Sequence, residues 1–162
     1  MTPTIRKLTA TAIAATALLA AGSVATAQAK KGEAAKGEKE LKWGPAPAAF
    51  PAGAKMAVER GDPMKKEVFV VRLSLPADYK IPPHWHPTDE HVHIISGDFL
   101  VGMGDALDAS KTNKLAAGDT GTIAAKMHHF ALTRGPTELS IRSEGPFAMT
   151  YVNPADDPRK KN

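Results

Sequence analysis

Short runs in which apolar and polar residues alternate fill the chain from about residue 67 onward. In VFVVRLSLP, the residues Phe69, Val71, Leu73 and Leu75 recur at every second position, as on a strand with one buried face. Turn residues separate the comparable runs that follow, which are HVHIIS, DFLVGMG, TGTIAA, HHFALT, ELSIRS and FAMTYVN. A longer polar connection is expected over residues 105–117. Because no amphipathic helix stands out, the pattern predicts an all-β domain, either a sandwich or a closed barrel.

The first 27 residues have a different pattern, which is typical of an export signal. Arg6 and Lys7 precede an apolar stretch over residues 8–24, and small residues follow up to Ala27. This order predicts a signal peptide over residues 1–27, with cleavage after Ala27 or after Ala29. A membrane anchor is the alternative, but the stretch is shorter than a span of about 20 residues. We therefore expect a periplasmic or secreted protein without a membrane segment after cleavage.

The remainder divides into a linker and one domain, since 162 residues are too few for two comfortable domains. Residues 28–42 are rich in Lys, Glu, Ala and Gly and are expected to form a flexible linker. The domain is expected over residues 43–162, with a barrel at about 65–153 and a loose polar tail at 154–162. Its lead-in, WGPAPAAFPAG, is expected to be extended and to lay Trp43 and Phe50 against the domain.

Composition narrows the classes of partner. The chain has a formal charge of +4, but seven of its 21 basic and three of its 17 acidic residues precede Trp43, which leaves 14 of each in the domain. A neutral domain without a basic cluster does not predict a nucleic-acid surface. The chain has no cysteine, so disulfides and thiolate metal ligands are excluded. These counts give no signal for a nucleic-acid partner, and a metal site, if present, uses no cysteine.

All six histidines lie between positions 84 and 129, and four of them fall in the segment HWHPTDEHVH. His84 and His86 are two residues apart, so on a strand both rings point to one side, about 6.5 Å apart along the chain. Trp85 then faces the other side, and Glu90 opens the next strand. A lone H-x-H pair is a weak signal, but imidazoles beside a carboxylate are typical ligands of divalent transition metals.

The series His84-x-His86-x3-Glu90-x6-Gly97 resembles the first sequence motif of the cupin superfamily. It departs from that motif only at the opening glycine, where this chain has Asp78. The resemblance covers about residues 65–153 and is strongest to small single-domain bacterial cupins of unassigned activity. It implies a small β-barrel with a jelly-roll-like double-stranded β-helix.

The second cupin motif is matched more weakly. Gly118 and His129 fall on its first glycine and its histidine, whereas Ala124, Lys126 and Thr133 replace its proline, its second glycine and its asparagine. His129 nevertheless stands at the position where the second cupin motif has its histidine.

Carried over to this chain, the resemblance implies that His84, His86, Glu90 and His129 bind one divalent transition metal. Fe, Mn, Ni and Zn all suit these ligands, and spacing does not choose among them. A set with His91 in place of Glu90 is less favoured, because the apolar neighbours on that strand would then face outward. Three histidines and one carboxylate leave positions for a small ligand, unlike a saturated structural zinc site.

Strand alternation assigns the neighbouring side chains to two faces. If Glu90 and His129 point inward, so do the residues two and four positions further along each strand. This inward set is Val92, Ile94, Ala131 and Thr133. Its small or apolar side chains are expected to leave room for a modest organic ligand. The outward set is His91, His93, Phe130 and Leu132, and it is expected to be exposed; cupin barrels commonly pair through such a face, which implies a homodimer.

Two polar residues near the predicted ligands have candidate supporting roles. Asp89 is interpreted as a turn residue or as the acceptor of a ring N–H from a ligating histidine. Arg142 would neutralise a carboxylate ligand if it pointed inward, whereas a solvent-exposed strand arginine is the more common alternative.

Two functions follow from these interpretations. The first is an exported, metal-dependent enzyme that acts on a small organic molecule by oxygenase-type chemistry, such as that of a dioxygenase, or by isomerase/lyase-type chemistry. The alternative is a non-catalytic module that binds a metal or a small ligand, because cupin barrels host unrelated roles. No separate acid–base residue stands out, so the sequence does not choose the reaction.

Overall fold

The computed structural model describes residues 40–160. The predicted signal peptide (1–27) and the predicted linker up to residue 39 lie outside the described residues, as do the last two residues of the chain. Within the described part, no helix is long and apolar enough to cross a membrane.

The described residues form eleven strands and three short 3-10 helices. The strands are β1 (Gly44–Pro45), β2 (Lys55–Arg60), β3 (Val68–Leu75), β4 (Lys80–Trp85), β5 (Glu90–Ser96), β6 (Asp98–Met103), β7 (Thr112–Ala116), β8 (Thr120–Ile123), β9 (His129–Thr133), β10 (Thr137–Glu144) and β11 (Thr150–Tyr151). The 3-10 helices are Ala109–Lys111, Pro154–Asp156 and Pro158–Lys160.

Two antiparallel sheets contain all of these strands. One sheet has the order β1-β2-β3-β10-β5-β8, and the other has the order β11-β4-β9-β6-β7. Strands distant in sequence, such as β3 and β10, therefore lie side by side, as they do in jelly-roll folds. The predicted all-β, jelly-roll-like fold is confirmed.

One apolar cluster with side chains from both sheets forms the main core. In β3 the alternate residues Phe69, Val71, Leu73 and Leu75 are buried, while the residues between them are at least partly exposed. Burial of each such side chain contributes about 1.5–3 kcal/mol. Phe50 joins the cluster from the lead-in, as predicted, whereas Trp43 is 40% exposed and does not.

The predicted runs do not include β1, β2, β4 or β7, and two of these strands, β7 and β2, illustrate why. β7 occupies part of the predicted connection 105–117 and pairs with β6, with Leu115 opposite Phe99. β2 pairs with β3 and fully buries only Ala57. Neither strand shows clear alternation, because β7 is an edge strand with little buried surface and the outer residues of β2 face solvent.

The polar tail is not loose over the part that the structure describes. Arg159 donates to both carboxylate oxygens of Asp157, at 2.8 Å each, and to the backbone oxygen of Met149 at 3.1 Å. Asp157 is only 6% exposed. The tail therefore packs back on the residues that precede β11.

The expected exposure of Phe130 and Leu132 is wrong, because every residue of β9 is buried. Both side chains form a second apolar cluster with Leu100. The ring of Phe130 lies directly over Gly102, where an added Cβ would be 2.1 Å from the ring. The outward histidines are elsewhere: His91 and His93 lie on β5, in the other sheet, so the four residues do not share one surface.

Candidate metal centre

Three strands bring the predicted ligands together. β4 and β9 are neighbours, and their register places His84 directly opposite His129. The β4–β9 register shifts between Ile81 and His84, which is where two prolines interrupt backbone donors. His86 follows one residue after β4, and Glu90 begins β5 in the facing sheet.

The three imidazoles form a compact buried cluster. One ring nitrogen from each of His84, His86 and His129 lies within 4.8 Å of the other two. All three residues are less than 5% exposed. An Oε2 atom of Glu90 lies 3.4 Å from Nε2 of His129 and 3.7 Å from Nε2 of His86. The structure therefore brings all four predicted ligands to one place.

Backbone carbonyls fix the orientation of each ring. Nδ1 of His84 is 2.8 Å from the oxygen of Pro82, Nδ1 of His86 is 2.8 Å from that of Ala148, and Nδ1 of His129 is 3.0 Å from that of Met127. A carbonyl oxygen only accepts hydrogen bonds, so each Nδ1 carries the hydrogen. With Nδ1 directed at a carbonyl oxygen, Nε2 is the ring nitrogen that faces the cluster, as in metal-binding histidines.

The surroundings of the Nε2 atom of His86 test whether a metal fits the cluster. This atom is buried and has no hydrogen-bond partner. A buried polar atom without a partner costs about 1–3 kcal/mol. Oε2 of Glu90 lies 3.4 Å from Nε2 of His129 and 3.7 Å from Nε2 of His86, so a cation in the cluster would have nitrogen and oxygen donors around it. The donor set fits a divalent transition metal.

Two of the four proposed ligands, His84 and Glu90, have pKa values that favour the forms able to bind a metal. Burial, followed by the neighbouring rings of His129 and His86, lowers the pKa of His84 to about 3. Burial alone would raise the pKa of Glu90, but its contact with His129 and the surrounding imidazoles outweighs burial, and the pKa lies below its ordinary value. A neutral imidazole and an ionised carboxylate are both ready to bind a cation.

The inward neighbours have structural roles. Val92, Ile94, Ala131 and Thr133 are all buried. Of these four, only Ala131 lines the cavity beside the imidazoles. Thr133 accepts from the backbone N–H of Tyr79 at 3.0 Å and donates to the oxygen of Pro76 at 2.7 Å, so its hydroxyl is already used.

Asp89 lies in the connection between β4 and β5, in keeping with a turn residue and not with an acceptor for a ligating histidine, and Arg142 does not point to the ligands. Asp89 holds none of the three ring nitrogens; its Oδ1 accepts from the backbone N–H of Ala125 at 2.7 Å. Arg142 is exposed and pairs in register with His91, on the outer face of the sheet. The alternative of a solvent-exposed strand arginine is therefore correct, and a role for Arg142 inside the barrel is wrong.

The interior beside the imidazoles is nearly filled. The cavity there has a volume of about 20 Å³, which is enough for a water molecule but not for an organic ligand. The expected room is absent because Phe50 and Met149 also line this cavity. Both residues lie outside the strands of the two motifs, and motif spacing therefore gives no signal for them.

The segment Gly145–Met149 also contributes to the site. Ala148 orients His86 through its carbonyl, and the ring of Phe147 lies against the His86 ring with a centroid distance of 5.0 Å. Phe147 further contacts the rings of Phe50 and Phe69. The sequence pattern identified this stretch only as part of a terminal strand.

At two positions where this chain lacks a glycine of the cupin motifs, the backbone still adopts a positive φ. Asp78 has φ = 56° and Lys126 has φ = 62°, both in the left-handed region that favours glycine. Gly97 and Gly118, which match the motifs, also have positive φ values. The turns that the motifs encode are therefore formed, although two of their glycines are missing.

No protein-family model matches the chain, and no curated protein matches it. Solved structures do match. The polyketide cyclase RemF from Streptomyces resistomycificus has a TM-score of 0.61 and 14% identity, over 74% of this chain and 84% of its own. An RmlC-like cupin from Shewanella frigidimarina NCIMB 400 has a TM-score of 0.51 and 17% identity, over 67% of this chain and 86% of its own. An oxalate oxidase has a TM-score of 0.51 and 21% identity, over 66% of this chain and 59% of its own. At these identities the likeness shows the fold alone.

Proposed function

Because the chain has the cupin fold, we propose that it is an exported enzyme that uses one divalent transition metal to act on a small organic molecule. The chemistry that we propose is of the oxygenase type, such as that of a dioxygenase, or of the isomerase/lyase type. Fold neighbours described as an oxidase and a cyclase support this range of chemistry.

The buried, unpartnered Nε2 atom of His86 carries the proposal. Since Nδ1 of His86 faces the oxygen of Ala148, Nε2 is the nitrogen that points to the other proposed ligands and is available to a metal. His84, His86, Glu90 and His129 would hold the metal, with Fe, Mn, Ni and Zn as candidates. Bound there, the metal would supply a Lewis acid and a template for the organic molecule.

The residues of the chain prepare the site in two ways. Glu90 contributes the one negative charge among the proposed ligands. This charge favours the binding of a divalent cation over that of a neutral molecule. Apolar side chains, among them Ile123, Ala131 and Met149, surround the imidazoles and limit the access of water. Electrostatic interactions are stronger in such a setting than in water.

The test is turnover by the purified chain after loading with Fe(II), Mn(II), Ni(II) or Zn(II). A panel of diketones, phenols and hydroxy acids is offered in air, and products are followed by mass spectrometry. We expect turnover with at least one metal and its loss in His84→Ala. Binding of metal without turnover of any compound would contradict the catalytic proposal.

A non-catalytic binding module is the second candidate, and one observation favours it. The cavity of about 20 Å³ beside the imidazoles leaves no space for an organic substrate unless side chains move. This candidate predicts that the metal itself binds, as measured by calorimetry, and that every organic compound of the panel is recovered unchanged.

Export and pairing are part of the proposal. The order of charged, apolar and small residues over positions 1–27 supports a cleaved signal, and sequencing of the mature N-terminus tests it.

The outer face of β5, with His91 and His93, supports a homodimer through this sheet. A monomeric mass measured by light scattering would contradict the proposed homodimer.

A further inference from the structure

A second and much larger cavity adjoins the metal centre. Its volume is about 450 Å³, which lies in the range of sites for small organic ligands. Three aromatic rings line it, those of Phe50, Phe69 and Phe147, together with Met56 and Met149. Aromatic rings and thioethers form favourable contacts with another ring.

Three of the polar groups around this cavity already have partners within the protein. The backbone N–H of Phe147 donates to the oxygen of Pro63 at 2.7 Å, and the oxygen of Ala148 faces Nδ1 of His86. Arg159 is the charged residue in its lining, and its guanidinium is bound to both carboxylate oxygens of Asp157. The carboxylate of Asp157 already balances the charge of this guanidinium, so an anionic ligand gains little attraction there, and a neutral ligand is favoured.

The large cavity and the cavity beside the imidazoles share a wall. Phe50, Ile141 and Met149 line both of them. Met149 is unbranched and flexible, so it is the member of this wall that can most easily change rotamer. A rotation of Met149 would connect the large cavity with the space beside His84 and His129.

We propose that the large cavity binds an uncharged aromatic molecule of one or two rings and presents it to the metal centre past Met149. The inference deepens the proposed function and rests on it for the second step, because presentation requires a metal. The binding step stands on the cavity alone.

The binding step is tested on the metal-free full chain with 2-naphthol and 2-naphthoate, whose rings are the same and whose charges differ. We expect 2-naphthol to bind about tenfold or more tightly than 2-naphthoate, measured by fluorescence or calorimetry. Ala48→Trp places a large ring in the cavity from an exposed lining position, and should weaken 2-naphthol binding about tenfold or more. Ala52→Trp, on an exposed residue of the same loop outside the lining, is the matched control and should not.

Tighter binding of 2-naphthoate, or equal weakening by the two tryptophan variants, would overturn the binding step. The second step is tested by NMR of 2-naphthol with the chain loaded with Mn(II), whose paramagnetism broadens the lines of nearby nuclei. We expect broadening that disappears in His84→Ala, while the affinity for 2-naphthol persists. Binding without broadening on the loaded chain would overturn presentation to the metal. A chain that binds 2-naphthol and takes up no metal would refute the proposed function and leave the cavity assignment standing.

Discussion

The segment His84–Gly97 and the segment Gly118–Thr133 supply the same cluster, but they depend on different support. The first segment matches its motif after the opening position and provides His84, His86 and Glu90. The second departs from its motif at three positions, yet it places His129 directly opposite His84.

The second segment is positioned by contacts with the first. The backbone N–H of Lys126 donates to the oxygen of His86 at 2.8 Å, and that of Ala125 donates to Oδ1 of Asp89 at 2.7 Å. Lys126 also adopts the left-handed backbone that the motif assigns to glycine. A weakly matched motif can therefore still form its site when the neighbouring segment accepts hydrogen bonds from its backbone.

The largest expected effect comes from removing one ligand from each segment. His84→Ala and His129→Ala should each weaken metal binding by more than about 100-fold, since loss of a supporting residue alone costs 10–100-fold. Calorimetric titration with Zn(II) measures the change. His93→Ala is the matched control, because His93 is exposed on β5 and outside the cluster. Equal losses in all three variants would show that the two segments do not form one site.

A smaller effect is expected when the contact between the segments is removed. Asp89→Ala deletes the acceptor for Ala125 and should lower the free energy of unfolding by about 1 kcal/mol. It should also weaken metal binding about tenfold, because the loop that carries His129 loses support. The control is Asp119→Ala, which deletes a similar exposed acceptor for Ala116 within its own turn. The control should lose similar stability but keep its affinity for metal; an unchanged affinity in Asp89→Ala would contradict this role.

The smallest expected effect concerns the two missing glycines. Lys126→Gly should raise the free energy of unfolding by about 0.5–1 kcal/mol, because glycine adopts positive φ without the steric cost of a Cβ atom. Asp78→Gly should gain less, since aspartate tolerates this region better than lysine does. Lys126→Ala keeps the Cβ atom and should gain nothing. Urea unfolding measures all three, and a gain in Lys126→Ala equal to that in Lys126→Gly would refute the backbone explanation.

The fold was predictable where one face of a strand is buried. The alternation of Phe69, Val71, Leu73 and Leu75 reflects the core directly, and the first motif places three candidate ligands by number. β7 and β2 were not predictable, because strands with little buried surface show no clear alternation. The burial of Phe130 was missed for a related reason: alternation assigns a side chain to a face, but it does not tell what covers that face.

The surroundings of the site were less predictable than its ligands. The acceptors of the three ring N–H groups are backbone oxygens, and any residue type supplies one. The wall formed by Phe50 and Met149 comes from segments far away in sequence and outside both motifs. Such contacts depend on tertiary packing, so residue spacing along the chain does not encode them.

The metal content of the chain, purified without added metal, tests the central claim most directly. Elemental analysis by mass spectrometry should find about one divalent transition metal for each chain, and His84→Ala, prepared in parallel, should contain almost none. The same metal content in His84→Ala and in the unaltered chain, or an unaltered chain that takes up none of Fe, Mn, Ni or Zn when they are supplied, would contradict the account.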